Sequence, residues 1–212
     1  MRGVYPISLL IEGRCCVIIG GGSVSERKVH PLLEAGGRVR VVSPEVSSDI
    51  ARLAEEGRIE WRRAEGSEAD LVDAFLVIAA TDDPRLNSRL AAAARAAGKL
   101  VNTVDQPEDC SFFVPATVRR GPILFTVSTG GGSPALAKRI RRELEQRFGP
   151  EYGRLAELLE CLRPEVMAAV GTQSERAQAW ERILDSPVLE LLRQGRQPEA
   201  EALARELAGL EG

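Results

Sequence analysis

Short apolar runs alternate with amphipathic stretches through the first half of the chain. Cys15-Cys16-Val17-Ile18-Ile19 is uninterrupted by any polar residue and ends at Gly20-Gly21-Gly22, the pattern of a strand buried on both faces. Residues 25–35 follow with Val29, Leu32 and Leu33 on one helical face and Gly36-Gly37 as the stop. The spacing then predicts a strand at 39–42, a helix at 47–56, a brief strand at 59–61 and a wholly apolar strand at 75–79. An alanine-rich helix at 84–97 closes on Gly98, and a further strand covers 100–104. Strand and helix in strict alternation predict a Rossmann-like, doubly wound α/β fold, a parallel sheet with helices on both faces.

Beyond this the pattern changes. Residues 112–118 and 123–128 are strand-like and joined by Arg119-Arg120-Gly121-Pro122, too short a link for anything but an antiparallel pair. Ser133-Pro134 opens a helix expected to run to 148, with serine as cap and proline at the first helical position. The remainder reads as helix punctuated by Pro164, Gly171, Pro187 and Pro198. Three parts are expected: a dinucleotide-binding domain over 1–112, a hairpin-plus-helix segment over 113–149, and a helical domain over 150–212.

Composition narrows the function classes. Of 212 residues, 44% are hydrophobic and 28% charged, enough apolar content for a real core and too much for a disordered chain. A net charge of −3 argues against nucleic acid as a general partner. The charge is uneven, however: residues 119–147 hold seven Lys/Arg against two Asp/Glu, so one basic surface sits within a mildly acidic chain. No apolar run approaches the roughly 20 residues of a membrane helix, and the first residues lack a signal-peptide core. Four cysteines without a CxxC pair and a single histidine, His30, give no metal site and fit reduced thiols in the cytoplasm.

The sharpest motif is Gly20-Gly21-Gly22-Ser23-Val24-Ser25 between a predicted strand and a predicted helix, the context that gives G-x-G-x-x-G/A its meaning. Gly20 permits the tight turn, Gly22 lets the backbone approach a pyrophosphate, and the helix amino end offers N–H groups, with Ser23 and Val24 in its first turn. Where an acid often holds the NAD ribose, this chain has Ser43-Pro44-Glu45. Arg38 and Arg40 in the same strand read as a solvated strand face, and their spacing also leaves an NADP phosphate open. Thr81 and Asp82 end one strand and border the expected cofactor site, although Asp82 and Asp83 before Pro84 are also helix-start signals. Asn102 and Asp105 end the next. Asp105 is the one acid at that point of the sheet edge, placed to move a proton while hydride passes to a nicotinamide, or else a turn former before Gln106-Pro107.

A second glycine-rich loop, Ser128-Thr129-Gly130-Gly131-Gly132-Ser133, lacks the GK[ST] ending of a P-loop. It leads into a helix bearing Lys138, Arg139, Arg141 and Arg142, which suits a ligand with several carboxylates or, equally, a solvated face. His30 and Cys110 carry no pattern that assigns them chemistry.

Together the segments resemble the precorrin-2 dehydrogenases of sirohaem synthesis, stand-alone or as the first part of a fused sirohaem synthase. The matching stretches are Tyr5-Pro6, Gly20-Gly21-Gly22-Ser23-Val24-Ser25-Glu26-Arg27-Lys28, Ala79-Ala80-Thr81-Asp82-Asp83, Asn102-Thr103-Val104-Asp105, Ser111-Phe112-Phe113-Val114-Pro115-Ala116 and 127–137. The departures are Ser25, where alanine is common, and Ser23, where some members carry an acid. The resemblance implies a homodimer that oxidises a tetrapyrrole, precorrin-2, to sirohydrochlorin with NAD, with Asp105 as the key aspartate. It also implies, for some members, insertion of Fe2+ as a second substrate. Substrate carboxylates would then be met by Asn102, Ser128, Thr129, Gly130, Lys138, Arg139 and Arg142. The competing expectations are a non-catalytic NAD(H) sensor and a tetrapyrrole carrier.

Overall fold

A computed structural model describes residues 3–210. The chain divides between Val114 and Pro115 into two compact units.

The first unit is a five-stranded sheet in the order β3-β2-β1-β4-β5, with every pairing parallel. Its strands are β1 (Cys15–Ile19), β2 (Arg38–Val42), β3 (Glu60–Arg62), β4 (Leu76–Ala79) and β5 (Leu100–Thr103). The connecting helices are α1 (Ser23–Glu34), α2 (Ser48–Glu55) and α3 (Pro84–Ala96). Because successive side chains of a strand point to opposite faces, β1 feeds two cores at once. Cys16 and Ile18 join Val29, Ile50 and Leu53 beneath α1 and α2. Cys15, Val17 and Ile19 join Leu90, Ala91 and Ala94 beneath α3. Burial pushes the Cys16 thiol up to about 11 and raises Cys15 as well, so both are inert core groups.

The outer edge of β5 is closed by two residues. Ser111 N–H donates to the Val101 carbonyl at 2.8 Å and Ser111 Oγ accepts from Val101 N–H at 2.8 Å. The Cys110 sulfur accepts from Thr103 N–H at 3.2 Å and faces the Thr103 carbonyl at 3.4 Å.

The second unit opens with a hairpin of β6 (Ala116–Arg120) and β7 (Ile123–Val127), paired antiparallel. The expected strand at 112–118 is therefore displaced. Phe112 gives its carbonyl to the Asn102 side chain, and Pro115 has no N–H for a ladder, so pairing starts at Ala116 and takes in both arginines. The turn shrinks to Gly121-Pro122, with Gly121 at φ 52°. α4 (Pro134–Arg147) packs on the hairpin, and Phe148 stacks on Phe125 with ring centroids 4.7 Å apart. Then follow α5 (Pro150–Ala169), α6 (Gln173–Leu184), α7 (Val188–Arg193) and α8 (Gln197–Leu207) around Leu155, Leu162, Val166, Ile183, Leu192 and Ala204.

Pro164 was expected to interrupt the chain here, yet it lies inside α5. It is exposed, while Leu162 and Val166 on the buried face hold the helix together across the missing N–H. No helix among the described residues is long and apolar enough to cross a membrane.

Candidate active site

Parallel sheets bind ligands beyond the carboxyl ends of their strands, and two clefts of the first unit lie there. The larger, about 620 Å³, is walled by Gly20 to Val24, Ser43 to Ser47, Glu65, Gly66 and Ala80 to Asp82. All nine residues expected to hold a dinucleotide line it: Gly20, Gly22, Ser23, Val24, Ser43, Pro44, Glu45, Thr81 and Asp82. The glycines have distinct physical duties. Gly20 stands at φ 114°, and a Cβ there would sit 2.2 Å from the Ala80 carbonyl oxygen. A Cβ on Gly21 would sit 2.0 Å from the Glu45 carbonyl oxygen. Gly22 has nothing within 4 Å of a built Cβ and is the cap residue of α1, with no side chain to satisfy the helix. The first-turn N–H groups of α1 thus face open cleft without a capping partner, the arrangement an anion needs. Behind them Ser25 is fully buried, and its hydroxyl has no partner.

The residues open to an NADP phosphate are resolved by their position. Arg40 pairs in register with Val17 and Glu60, in the middle of its strand, and its guanidinium is bidentate to Asp73 at 2.8 and 3.0 Å and bonded to Glu60 at 2.7 Å. It is therefore neither a solvated face nor a phosphate ligand. Arg38 starts β2, at the opposite end of the strand from the cleft. Among the described residues the cleft is lined by Glu45, Glu65 and Asp82 and by no lysine or arginine.

Thr81 and the following acids do what helix-start signals do. Thr81 Oγ1 donates to Asn87 Oδ1 at 2.7 Å, and Asp83 caps α3 by accepting from Arg85 N–H at 2.8 Å. Asp82 carries no such bond and remains on the cleft wall.

A second cleft of about 440 Å³ lies beside the first and shares Val24 with it. Val24, Arg27 and Lys28 of α1 form one wall, and Asn102 to Asp105 form the other. Asp105 is the one residue other than glycine with positive φ among those described, at 58°, a conformation that Asp and Asn tolerate best. The segment that follows it is tied down. Gln106 Nε2 donates to Ser88 Oγ at 3.0 Å, and Arg95 donates to the Asp109 carbonyl at 2.5 Å and to its carboxylate at 3.1 Å. Asn102 Nδ2 donates to the Phe112 carbonyl at 3.0 Å, so this amide chiefly braces the cleft floor.

The structure does not place the other expected substrate residues in the first unit. Ser128, Thr129, Gly130, Lys138, Arg139 and Arg142 belong to the second, where the loop is self-supporting. Ser128 Oγ accepts from Gly130 N–H at 3.2 Å and Thr129 Oγ1 from Ser133 N–H at 3.0 Å. Arg139 is paired with Glu143 at 3.2 Å, whereas Lys138 and Arg142 are exposed. Arg120 is occupied in bonding the Glu145 and Phe148 carbonyls at the end of α4. His30 bonds Asp49 at 2.6 Å across α1 and α2, away from both clefts.

Two residues were given no role by the sequence. Cys110 organises the β5 edge, which no spacing announces. Lys28 was legible in principle: Val24, Arg27 and Lys28 stand at i, i+3 and i+4, one face of α1.

A doubly wound sheet with a bare helix amino end over a glycine turn defines an NAD(P)-binding protein, and an NAD(P)-binding family model matches residues 7–116. Models of the central region of sirohaem biosynthesis proteins and of the sirohaem synthase dimerisation region match 120–147 and 151–207. The chain belongs to that NAD(P)-binding family, and its three matches together follow the layout of sirohaem biosynthesis proteins. It is 38% identical to the siroheme synthase of Nitrosococcus oceani over 98% of this chain and 44% of that protein. It is 41% identical to that of Methylococcus capsulatus over 96% and 43% respectively. The chain thus spans less than half the length of these curated relatives. A solved structure described as SirC, precorrin-2 dehydrogenase, aligns with 96% of this chain and all of its own, at TM-score 0.75 and 26% identity.

Proposed function

We propose that this chain oxidises precorrin-2 to sirohydrochlorin with NAD, Asp105 serving as the base. The observation that carries the reading is the shared wall: Val24 belongs both to the dinucleotide cleft and to the cleft that holds Asp105. A bound NAD supplies the hydride acceptor. The chain's own residues do the rest. The α1 amino end and Gly22 take the pyrophosphate, Ser43, Pro44 and Glu45 take the ribose, and Thr81 and Asp82 border the cofactor. Asp105 accepts the proton that the substrate loses along with the hydride, so the tetrapyrrole gives up two electrons and two protons in all, as one hydride and one proton.

In this reading residues 1–112 bind the dinucleotide and 113–149 and 150–212 support a homodimer. The second glycine loop and the basic residues Lys138, Arg139 and Arg142 meet carboxylates of the substrate. Four free thiols fit a cytoplasmic setting. Where Fe2+ is inserted as a further substrate, Asp105 is the group available to take the pyrrole N–H protons.

The test is anaerobic absorbance of the protein with precorrin-2 and NAD. NAD-dependent appearance of sirohydrochlorin, lowered 10²–10⁴-fold in Asp105→Asn with NAD binding intact, is expected. Absence of conversion with either NAD or NADP refutes the proposal, and a parallel arm with sirohydrochlorin and Fe2+ reads the insertion step.

A further inference from the structure

Lys28 is a cation with no carboxylate partner among the described residues. It sits on the second turn of α1, half-buried, and no carboxylate among the described residues forms an ion pair or hydrogen bond with it. Nearly every other buried or half-buried charge of the first unit is matched: Arg40 by Glu60 and Asp73, Asp70 by Arg62, Asp49 by Arg52 and His30. Burial, followed by the neighbouring Arg27 guanidinium, pulls the Lys28 ammonium below its ordinary range, so an anion brought beside it would restore what solvent no longer provides. Its location says which anion. Lys28 lines the Asp105 cleft and is absent from the wall of the glycine-loop cleft, so the dinucleotide phosphates are not its partner. Arg27, exposed on the same wall, adds a second positive charge at the cleft mouth.

We infer that Lys28 is a substrate-binding residue, its ammonium receiving one carboxylate of a polycarboxylate tetrapyrrole and thereby fixing the ring against Asp105 on the opposite wall. The inference rests on the function proposed above and deepens it. An aspartate alone in this cleft would repel a polyanion; a lysine facing it gives the substrate a reason to enter and a defined edge to enter by. Lysine provides a point charge on a flexible stem, so Arg at this position should conserve the attraction while changing the reach.

The experiment compares wild type, Lys28→Met and Lys28→Arg in three readouts: KM and kcat for precorrin-2, the Kd of NAD by titration, and direct binding of sirohydrochlorin by absorbance without NAD. Lys28→Met keeps the alkyl stem, so the fold should stand, which its Tm checks. Expected in Lys28→Met is a rise of about tenfold in precorrin-2 KM and sirohydrochlorin Kd, the loss of one charge-assisted hydrogen bond. NAD Kd should stay unchanged, and Lys28→Arg should recover most of the loss. Unchanged KM and sirohydrochlorin Kd overturn the inference while leaving the proposed reaction standing. A rise confined to NAD Kd overturns it by assigning Lys28 to the cofactor. If wild type turns over no precorrin-2, the proposed reaction falls; the sirohydrochlorin arm still decides Lys28, since equal binding by wild type and Lys28→Met overturns the inference.

Discussion

The Ser88 hydroxyl donates to the Asp109 carboxylate at 2.6 Å, linking α3 to the segment that leads away from Asp105. With two further bonds from Arg95, Asp109 holds the loop whose first residue is the proposed base. Asp109→Asn should cost about 1–2 kcal/mol of stability, as expected for charge-assisted bonds, and lower kcat more than it raises NAD Kd. The Ser88 bond first, then Arg95, holds the Asp109 carboxyl below the usual range. A depressed folded value means stability that is present above the unfolded carboxylate value of about 3.9 and is lost as pH falls through the folded one. The gap between wild type and Asp109→Asn, measured by urea denaturation, should therefore be full at pH 7 and close as pH falls below about 4.

The parallel sheet and the glycine turn were legible because they rest on local rules: β1 reads apolar at every position since both its faces are covered, and Gly20 is required by its own φ. What stayed hidden depends on contacts distant in sequence. Arg40 looked like a surface or phosphate residue until Glu60 and Asp73 were seen around it. Arg120 looked like part of a short hairpin link, but its guanidinium finds the carbonyls at the end of α4, 25 and 28 residues away. The strand expected at 112–118 failed for a related reason, because Asn102 captures the Phe112 carbonyl from another element.

The three glycines should separate in a mutational series. Gly20→Ala and Gly21→Ala each drive a Cβ into a backbone carbonyl, at 2.2 and 2.0 Å, and should lower stability by about 2 kcal/mol or more. Gly22→Asp meets open space and supplies a good helix cap, so its Tm should hold or rise. NAD affinity should nonetheless fall at least about tenfold, since a carboxylate then occupies the pyrophosphate position. Thermal melts alongside NAD titration distinguish the two kinds of loss.

Ser25→Ala should stabilise the first unit. The hydroxyl is fully buried without a partner, and removing it leaves the side-chain volume almost unchanged. A gain of about 1 kcal/mol in chemical denaturation is expected, with NAD Kd unaffected.

Cofactor choice follows from the charge of the cleft wall. Among the described residues Glu45, Glu65 and Asp82 line it without a cation, so NADP should bind at least about tenfold more weakly than NAD. Glu45→Arg should narrow that ratio, with most of the change in NADP Kd, as measured by paired titrations.

The closure of β5 by Cys110 and Ser111 bears on how copies of this chain can associate. An outermost strand normally exposes a row of donors and acceptors onto which another strand can be grafted. Here the outward N–H and carbonyl of Val101 and of Thr103 are all engaged, two by a serine and two by a thiol. The sheet is finished on that side and cannot be extended by a neighbour, so self-assembly through this edge is blocked and must use other surfaces. Half of that seal is a sulfur atom, and alkylating Cys110 would turn a finished edge into an adhesive one.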